Sequence, residues 1–200
     1  MDSSIKILLK PESLSWDAIH EVIWASHEEN RRNGVNMRYP SLPGSEIEKR
    51  VEPDGKMLVA MTDEGKLVGT AAMIPKEASL WFGKHRFAYC CFASILPEYN
   101  GMGIYKEMCR IQEELAREAG LEMMLFDTHE KNTRNLIHSI KAGYRYVDLK
   151  HYKDHFNVVM VKWLNGCPYS RFNCWFHYRW NRIVVILKSF MFMIRDRVKC

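Results

Sequence analysis

Ser94-Ile95-Leu96-Pro97-Glu98-Tyr99-Asn100-Gly101-Met102-Gly103-Ile104-Tyr105 is the stretch whose reading decides the fold. Ahead of it, Phe87–Leu96 (FAYCCFASIL) is almost wholly apolar, as expected of a central strand covered on both faces. Pro97 stops that strand. Behind it, Met102–Ala119 carries Ile104, Met108, Ile111, Leu115 and Ala119 at spacings of three and four, which predicts a helix ended by Gly120. A strand thus passes through two glycines straight into a helix. Glycine lets the backbone turn tightly and approach a ligand. The first helical turn adds unsatisfied N–H groups and a partial positive charge, which suit a pyrophosphate.

Further elements follow on either side. Ile5–Lys10 reads as a strand, and Ser15 caps a helix carrying Trp16, Ile19, Val22 and Ile23. Arg31–Pro43 is rich in Asn, Gly and Pro and reads as a surface loop. Met57–Met61 and Lys66–Ile74 are strands about a Thr62–Gly65 turn. Downstream come a strand at Leu121–Phe126 and a short helix at Asn132–Lys141, with Leu136, Ile137 and Ile140 inward. Strands at Tyr144–Leu149 and Phe156–Leu164 complete the set. This order predicts an α/β fold with a mixed sheet.

The chain has 200 residues, 47% of them hydrophobic and 26% charged, which fits an ordinary folded domain rather than a disordered chain. Six cysteines, with no C-x-x-C pair and no Cys/His spacing for zinc, read as reduced thiols, and no metal is expected. No apolar run reaches the ~18 residues of a membrane span. The opening MDSSIKILLKPESL does not resemble a secretory signal, so a cytoplasmic location is expected. Residues 171–200 hold seven of the 29 basic groups and one of the 24 acidic ones. The rest is nearly balanced, so no nucleic-acid partner is expected of it.

PEYNGMGIY, at 97–105, resembles the signature of the GNAT N-acetyltransferase superfamily, with Gly103 at the central glycine. LEMMLFDTHEKNTRNLIHSIKAGYRYV, at 121–147, is similar to that family's next block: strand, Asn132, short helix, then Lys141, Gly143 and Tyr144. The resemblance spans residues 5–164 and is motif-specific over 87–147. It implies a GNAT-like, mostly antiparallel sheet flanked by helices. It also implies acetyl-CoA as co-substrate and transfer of the acetyl group to a primary amine by direct attack, without a covalent enzyme intermediate. Ile95 would pair with pantetheine. The amides of Asn100, Gly101, Met102, Gly103, Ile104 and Tyr105 would hold the phosphates, and Asn132 would touch the cofactor arm.

Three positions depart from the family pattern. Asn100 stands in place of Arg or Gln, and Tyr105 in place of Gly or Ala. Ser139 occupies the site where many members carry the tyrosine that protonates the leaving thiolate. A serine offers one hydrogen bond but is a poorer acid. A second reading is therefore kept: a non-catalytic acyl-CoA-binding or membrane-surface module with a degenerate site.

Asp127 and His129, at the end of the second motif strand, are candidate bases. Tyr144 and Tyr146 are candidate acids replacing the missing tyrosine. Arg31, Arg32 and Arg38 would suit an acceptor bearing carboxylate or phosphate. The acceptor itself, a small molecule or a protein amine, is not specified by the sequence.

Past Asn165-Gly166-Cys167-Pro168 the composition changes. Residues 1–166 are expected to be the acyltransferase domain and 167–200 an aromatic, basic, amphipathic helical extension. On a helix, Phe172, Phe176, Trp180, Ile183, Leu187, Phe190, Ile194 and Val198 form one stripe, with Arg171, Arg179, Arg182 and Arg197 opposite. Such a stripe covers itself with lipid as a peripheral membrane contact, with a second copy as a homodimer, or with its own domain.

Overall fold

The computed structural model describes residues 4–35, 39–80, 83–152, 155–166, 169–170 and 172–184. Among the described residues seven strands, β1 (Ile5–Leu9), β2 (Lys56–Thr62), β3 (Leu67–Leu80), β4 (Gly83–Ile95), β5 (Met123–His129), β6 (Arg145–His151) and β7 (Phe156–Trp163), form one sheet. Their order is β1-β2-β3-β4-β5-β7-β6. The helices are α1 (Trp16–Ser26), α2 (Glu28–Arg32), α3 (Gly44–Val51), α4 (Ile104–Glu118) and α5 (Thr133–Lys141), followed by α6 at 172–184. The architecture is the mixed, mostly antiparallel α/β arrangement that the sequence predicts. The chain divides into two compact units, 1–124 and 125–200.

In the first unit β1 to β4 run antiparallel, with Leu8 opposite Val59, Leu58 opposite Ala71 and Met73 opposite Cys90. β2 is apolar at successive positions because both its faces are covered. Met57 and Val59 join Ile19, Ile23, Ile47, Val51 and Phe92 on one side. Leu58 and Ala60 join Val68, Ala71, Ile104 and Met108 on the other. α1 starts where Ser15 places its Oγ to accept the Ala18 N–H at 3.1 Å.

Several elements differ from expectation. The predicted 31–43 loop contains Arg31 and Arg32 on α2, and it runs through a 3-10 turn into α3. The β3–β4 hairpin runs on through Pro75 to Leu80 and Gly83. α4 buries Gln112 and Ala116 along with Ile104 and Met108, while Ala119 is exposed. β5 extends to His129, so Asp127 and His129 belong to the strand itself.

In the second unit β6 and β7 pair antiparallel, with Leu149 opposite Val158. Val147, Val158, Val159, Met160 and Val161 are buried there. On α5 only Leu136 and Ser139 are buried, and Ile137 and Ile140 face outward, contrary to the inward placing expected of them. Ser170 caps α6, its Oγ accepting the Asn173 N–H at 3.0 Å.

Candidate functional site

β4 ends at Ile95, and the Leu96 N–H still bonds to the Val68 carbonyl at 2.9 Å. A single 3-10 turn, Pro97–Tyr99, follows. Lys66 bridges to Glu98 at 3.2 Å and stands 5.2 Å from the Tyr99 ring centre. Glu98 is held below the usual carboxylate range by its own backbone N–H and then by Lys66. Gly101 and Gly103 take φ of 86° and 79°, the left-handed region that disfavours other residues. Gly103 is the N-cap of α4, and no side chain caps that end.

A Cβ built on either glycine would meet nothing within 4 Å. Asn100, Gly101, Met102 and Gly103 are exposed, Tyr105 is half-buried, and Ile104 is in the core. The arrangement is thus a turn open to solvent in front of a helix start whose N-cap, a glycine, brings no capping side chain. First-turn helical N–H groups with open space in front of them fit a pyrophosphate.

Just upstream, the β3–β4 register breaks. Thr70 faces Ser94, but Ala72 faces Cys91, so β4 carries an extra residue. Phe92 sits within it at φ 54°, a strained value for an aromatic residue. A bulge leaves backbone groups outside the ladder, and buried ones need partners. Four buried polar side chains gather there. Thr70 Oγ1 donates to the Phe92 carbonyl at 2.8 Å. Gln112 Nε2 donates to the Ala72 carbonyl at 2.8 Å. His27 Nε2 lies 3.2 Å from Ser94 Oγ, and the Asn30 amide lies 2.9 Å from His27 Nδ1. His27 is lowered to a pKa of about 4, chiefly by burial. A bond to the Ala93 backbone opposes that shift, and the Arg31 charge adds to it.

The sequence reading missed this cluster. His27 follows α1 in sequence, and 67 residues separate it from Ser94. A spacing pattern therefore carries no sign of their contact.

In the second unit the expected residues are engaged in packing and capping. Asp127 accepts from Lys150 Nζ at 2.9 Å and from Asn157 Nδ2 at 2.7 Å, one on each oxygen. His129 is buried, its Nδ1 accepts the Lys131 N–H at 3.0 Å, and its ring stacks on His155 at 4.5 Å. With Nδ1 accepting, the proton of the neutral ring sits on Nε2. Asn132 caps α5 by accepting from the Asn135 N–H at 3.5 Å, and it donates to Thr128 Oγ1 at 3.1 Å. Ser139 Oγ bonds to Asn135 Oδ1 at 3.4 Å. Tyr144 is buried edge-on against Phe126 at 5.1 Å. Tyr146 packs on Tyr178 at 5.0 Å, and its pKa is raised by burial and then by Tyr178.

The arginines expected to receive an anionic acceptor are also engaged. Arg31 stacks on Trp24 at 3.7 Å and donates to the Trp24 carbonyl at 2.6 Å. Arg32 pairs with Glu28. Arg38 lies outside the described residues.

A family model described as "Acetyltransferase (GNAT) family" matches residues 16–144, more than half the chain. This chain belongs to the GNAT acetyltransferase family. Solved structures agree in fold at low identity. A GNAT-family acetyltransferase from Staphylococcus aureus Mu50 is 14% identical with a TM-score of 0.63, covering 80% of this chain and 99% of its own. PaiA N-acetyltransferase from Thermoplasma acidophilum, in complex with coenzyme A, is 19% identical with a TM-score of 0.59, covering 80% and 99%. An aminoglycoside 6'-N-acetyltransferase complexed with coenzyme A is 13% identical with a TM-score of 0.61, covering 82% and 99%. No curated protein sequence matches this chain. The GNAT signature read at 97–105 lies inside the matched span, on the turn into α4.

Proposed function

We propose that this GNAT chain is an acyl-CoA-dependent N-acyltransferase that moves an acetyl group from acetyl-CoA to a primary amine. The observation that carries the reading is the open N-terminus of α4 behind Gly101 and Gly103, both at positive φ with free space in front of them. The amides of residues 101–105 bind the pyrophosphate, and Ile95 at the strand end pairs with pantetheine. Two neighbours in fold hold coenzyme A, and one is named for acetylating an aminoglycoside, which supports the cofactor and the amine class.

In this reading acetyl-CoA supplies a thioester, and a neutral amine attacks its carbonyl carbon. Nitrogen–carbon bond formation expels the CoA thiolate, which takes up a proton. A backbone N–H of the bulged stretch 91–94 is assigned to polarise the carbonyl, a common use of bulges beside reaction centres. Tyr144 and Tyr146 are proposed as proton donors; the Tyr146 phenol, raised by burial and then by Tyr178, stays protonated at neutral pH. Asn132, through its resemblance to the family's second block, and Ser139, through its position in that block, are proposed contacts to the cofactor arm. Both oxygens of Asp127 and Nδ1 of His129 are already accepting hydrogen bonds. We therefore give the base role to solvent.

Calorimetric titration with CoA and acetyl-CoA, followed by thiol release across an amine panel, tests the reading. Gly103→Val adds a branched side chain at positive φ in front of the amides. It is expected to weaken CoA binding by at least about tenfold, roughly 1.4 kcal/mol. Unchanged affinity would move the phosphates elsewhere. Binding without thiol release from any amine would favour a non-catalytic acyl-CoA-binding module.

A further inference from the structure

α6 turns outward the side that an amphipathic helix ordinarily hides. Toward its own unit it presents Cys174, Tyr178 and Asn181. Cys174 is buried, the Tyr178 ring stands 5.0 Å from Tyr146, and the Asn181 amide donates to Asp148 Oδ1 at 2.8 Å. The stripe expected from the sequence therefore does not cover itself with its own unit over the described residues. Phe172, Trp175, Phe176, Trp180 and Ile183 are 66%, 53%, 49%, 56% and 50% exposed. At 3.6 residues per turn all five fall within about 80° of Phe172 around the helix. By the same count Arg179 and Arg182 fall about 20° and 80° from Phe172, so they are exposed on this outward side rather than opposite it. Leu187, Phe190, Ile194, Val198, Arg171 and Arg197 lie outside the described residues.

The patch is continuous. Phe172 lies 6.2 Å from Phe176 and 6.0 Å from Trp175, and the Arg179 guanidinium lies 5.9 Å from the Trp175 ring. No acidic residue occurs between Asp154 and Asp196. An outward face of this kind costs solvation free energy until something covers it.

We propose that the outward face of α6 docks on an anionic lipid surface. Trp and Phe rings settle at the headgroup boundary, and the two arginines reach the lipid phosphates along their apolar stems. Charge decides the occupant. A symmetric pair of copies would set Arg179 and Arg182 against their own equivalents, with no acid on the helix to pair them. An anionic surface attracts each of them instead. The contact is peripheral. The helix over 172–184 is about 20 Å long against a hydrocarbon core of about 30 Å. Among the described residues no helix is long and apolar enough to cross a membrane. This inference is independent of the acyltransferase reading.

The test is sedimentation of the full chain with phosphatidylcholine vesicles, with and without phosphatidylglycerol. Light scattering is run in parallel for oligomeric state, and a single-stranded RNA shift assay serves as a competing arm. Partition onto the anionic vesicles is expected to exceed that onto neutral ones by at least about tenfold and to fall with added salt. Phe176→Ser with Trp180→Ser, and separately Arg179→Gln with Arg182→Gln, are each expected to lower it at least about tenfold while melting temperature and CoA titration stay unchanged. If the serine pair does not fold, the glutamine pair and the salt series decide the matter. The proposal is overturned by equal partition onto both vesicle types or by no partition at all. It also falls if the glutamine pair leaves partition unchanged, if the aromatic pair dissolves a stable dimer, or if RNA binds in preference to anionic vesicles.

Discussion

Burial keeps His27 neutral, and the hydrogen bonds around it require that state. Its ring nitrogens face the Asn30 amide and Ser94 Oγ, and desolvation lowers its pKa from 6.5 to about 4. Between those values the unfolded chain binds a proton that the folded chain refuses. Stability from this group is therefore complete above pH 6.5 and declines as pH falls toward 4. The loss is of order 3 kcal/mol at its limit. Melting temperature followed from pH 7.5 to 4 is expected to fall less steeply in His27→Gln than in the parent chain, and the two curves should converge at the acid end. At the residue scale, what the sequence made legible was local. Ser15 reads as a cap because its helix follows at once, and Gly103 reads as a helix start because its strand precedes it. The His27–Ser94 contact was not legible, since closure of the fold brings the two together.

The bulge in β4 shows the same limit at the scale of elements. Alternation and apolar runs located β2, β4 and α4, because each buries residues at its own period. The bulge leaves no such mark, yet it dictates a residue on α4. Gln112 falls on the buried face where the helical pattern would place an apolar side chain, and its amide serves the Ala72 carbonyl. Gln112→Leu keeps the volume similar and removes the buried donor from the Ala72 carbonyl. A destabilisation of about 1–3 kcal/mol is expected by thermal or denaturant unfolding. α3 escaped notice for a different reason. Only Ile47 and Val51 carry its apolar face, and it starts at Gly44 behind a proline. The strand expected over Lys66–Ile74 likewise runs on, and Pro75 pairs in register with Ala88.

For the whole molecule, the composition break at Gly166–Pro168 and the boundary between units give different divisions. Composition marks residues 167–200 as an addition, and we keep that division as a proposal about function. Packing places α6 in the same unit as β5 to β7, docked on β6 by Tyr178 and Asn181. A chain ending at Ser170 keeps the Arg145 bond to the Tyr169 carbonyl but loses both of those contacts and the burial of Cys174. Uncovering Tyr146, losing its aromatic contact with Tyr178 and losing the buried Cys174 should weaken this unit by about 2 kcal/mol. Amide hydrogen exchange in β6 and β7 is then expected to speed up by roughly 30-fold, since exchange through opening scales with the stability lost. Exchange in α4 should stay unchanged, because the glycine turn and the helix start lie in the other unit. Exchange measured segment by segment in the two chains checks both halves of this expectation. Faster exchange confined to 125–170 would make α6 a stabilising strut for its own unit. Faster exchange throughout the chain would mean that the two units unfold as one, and the tail's influence would then reach the glycine turn.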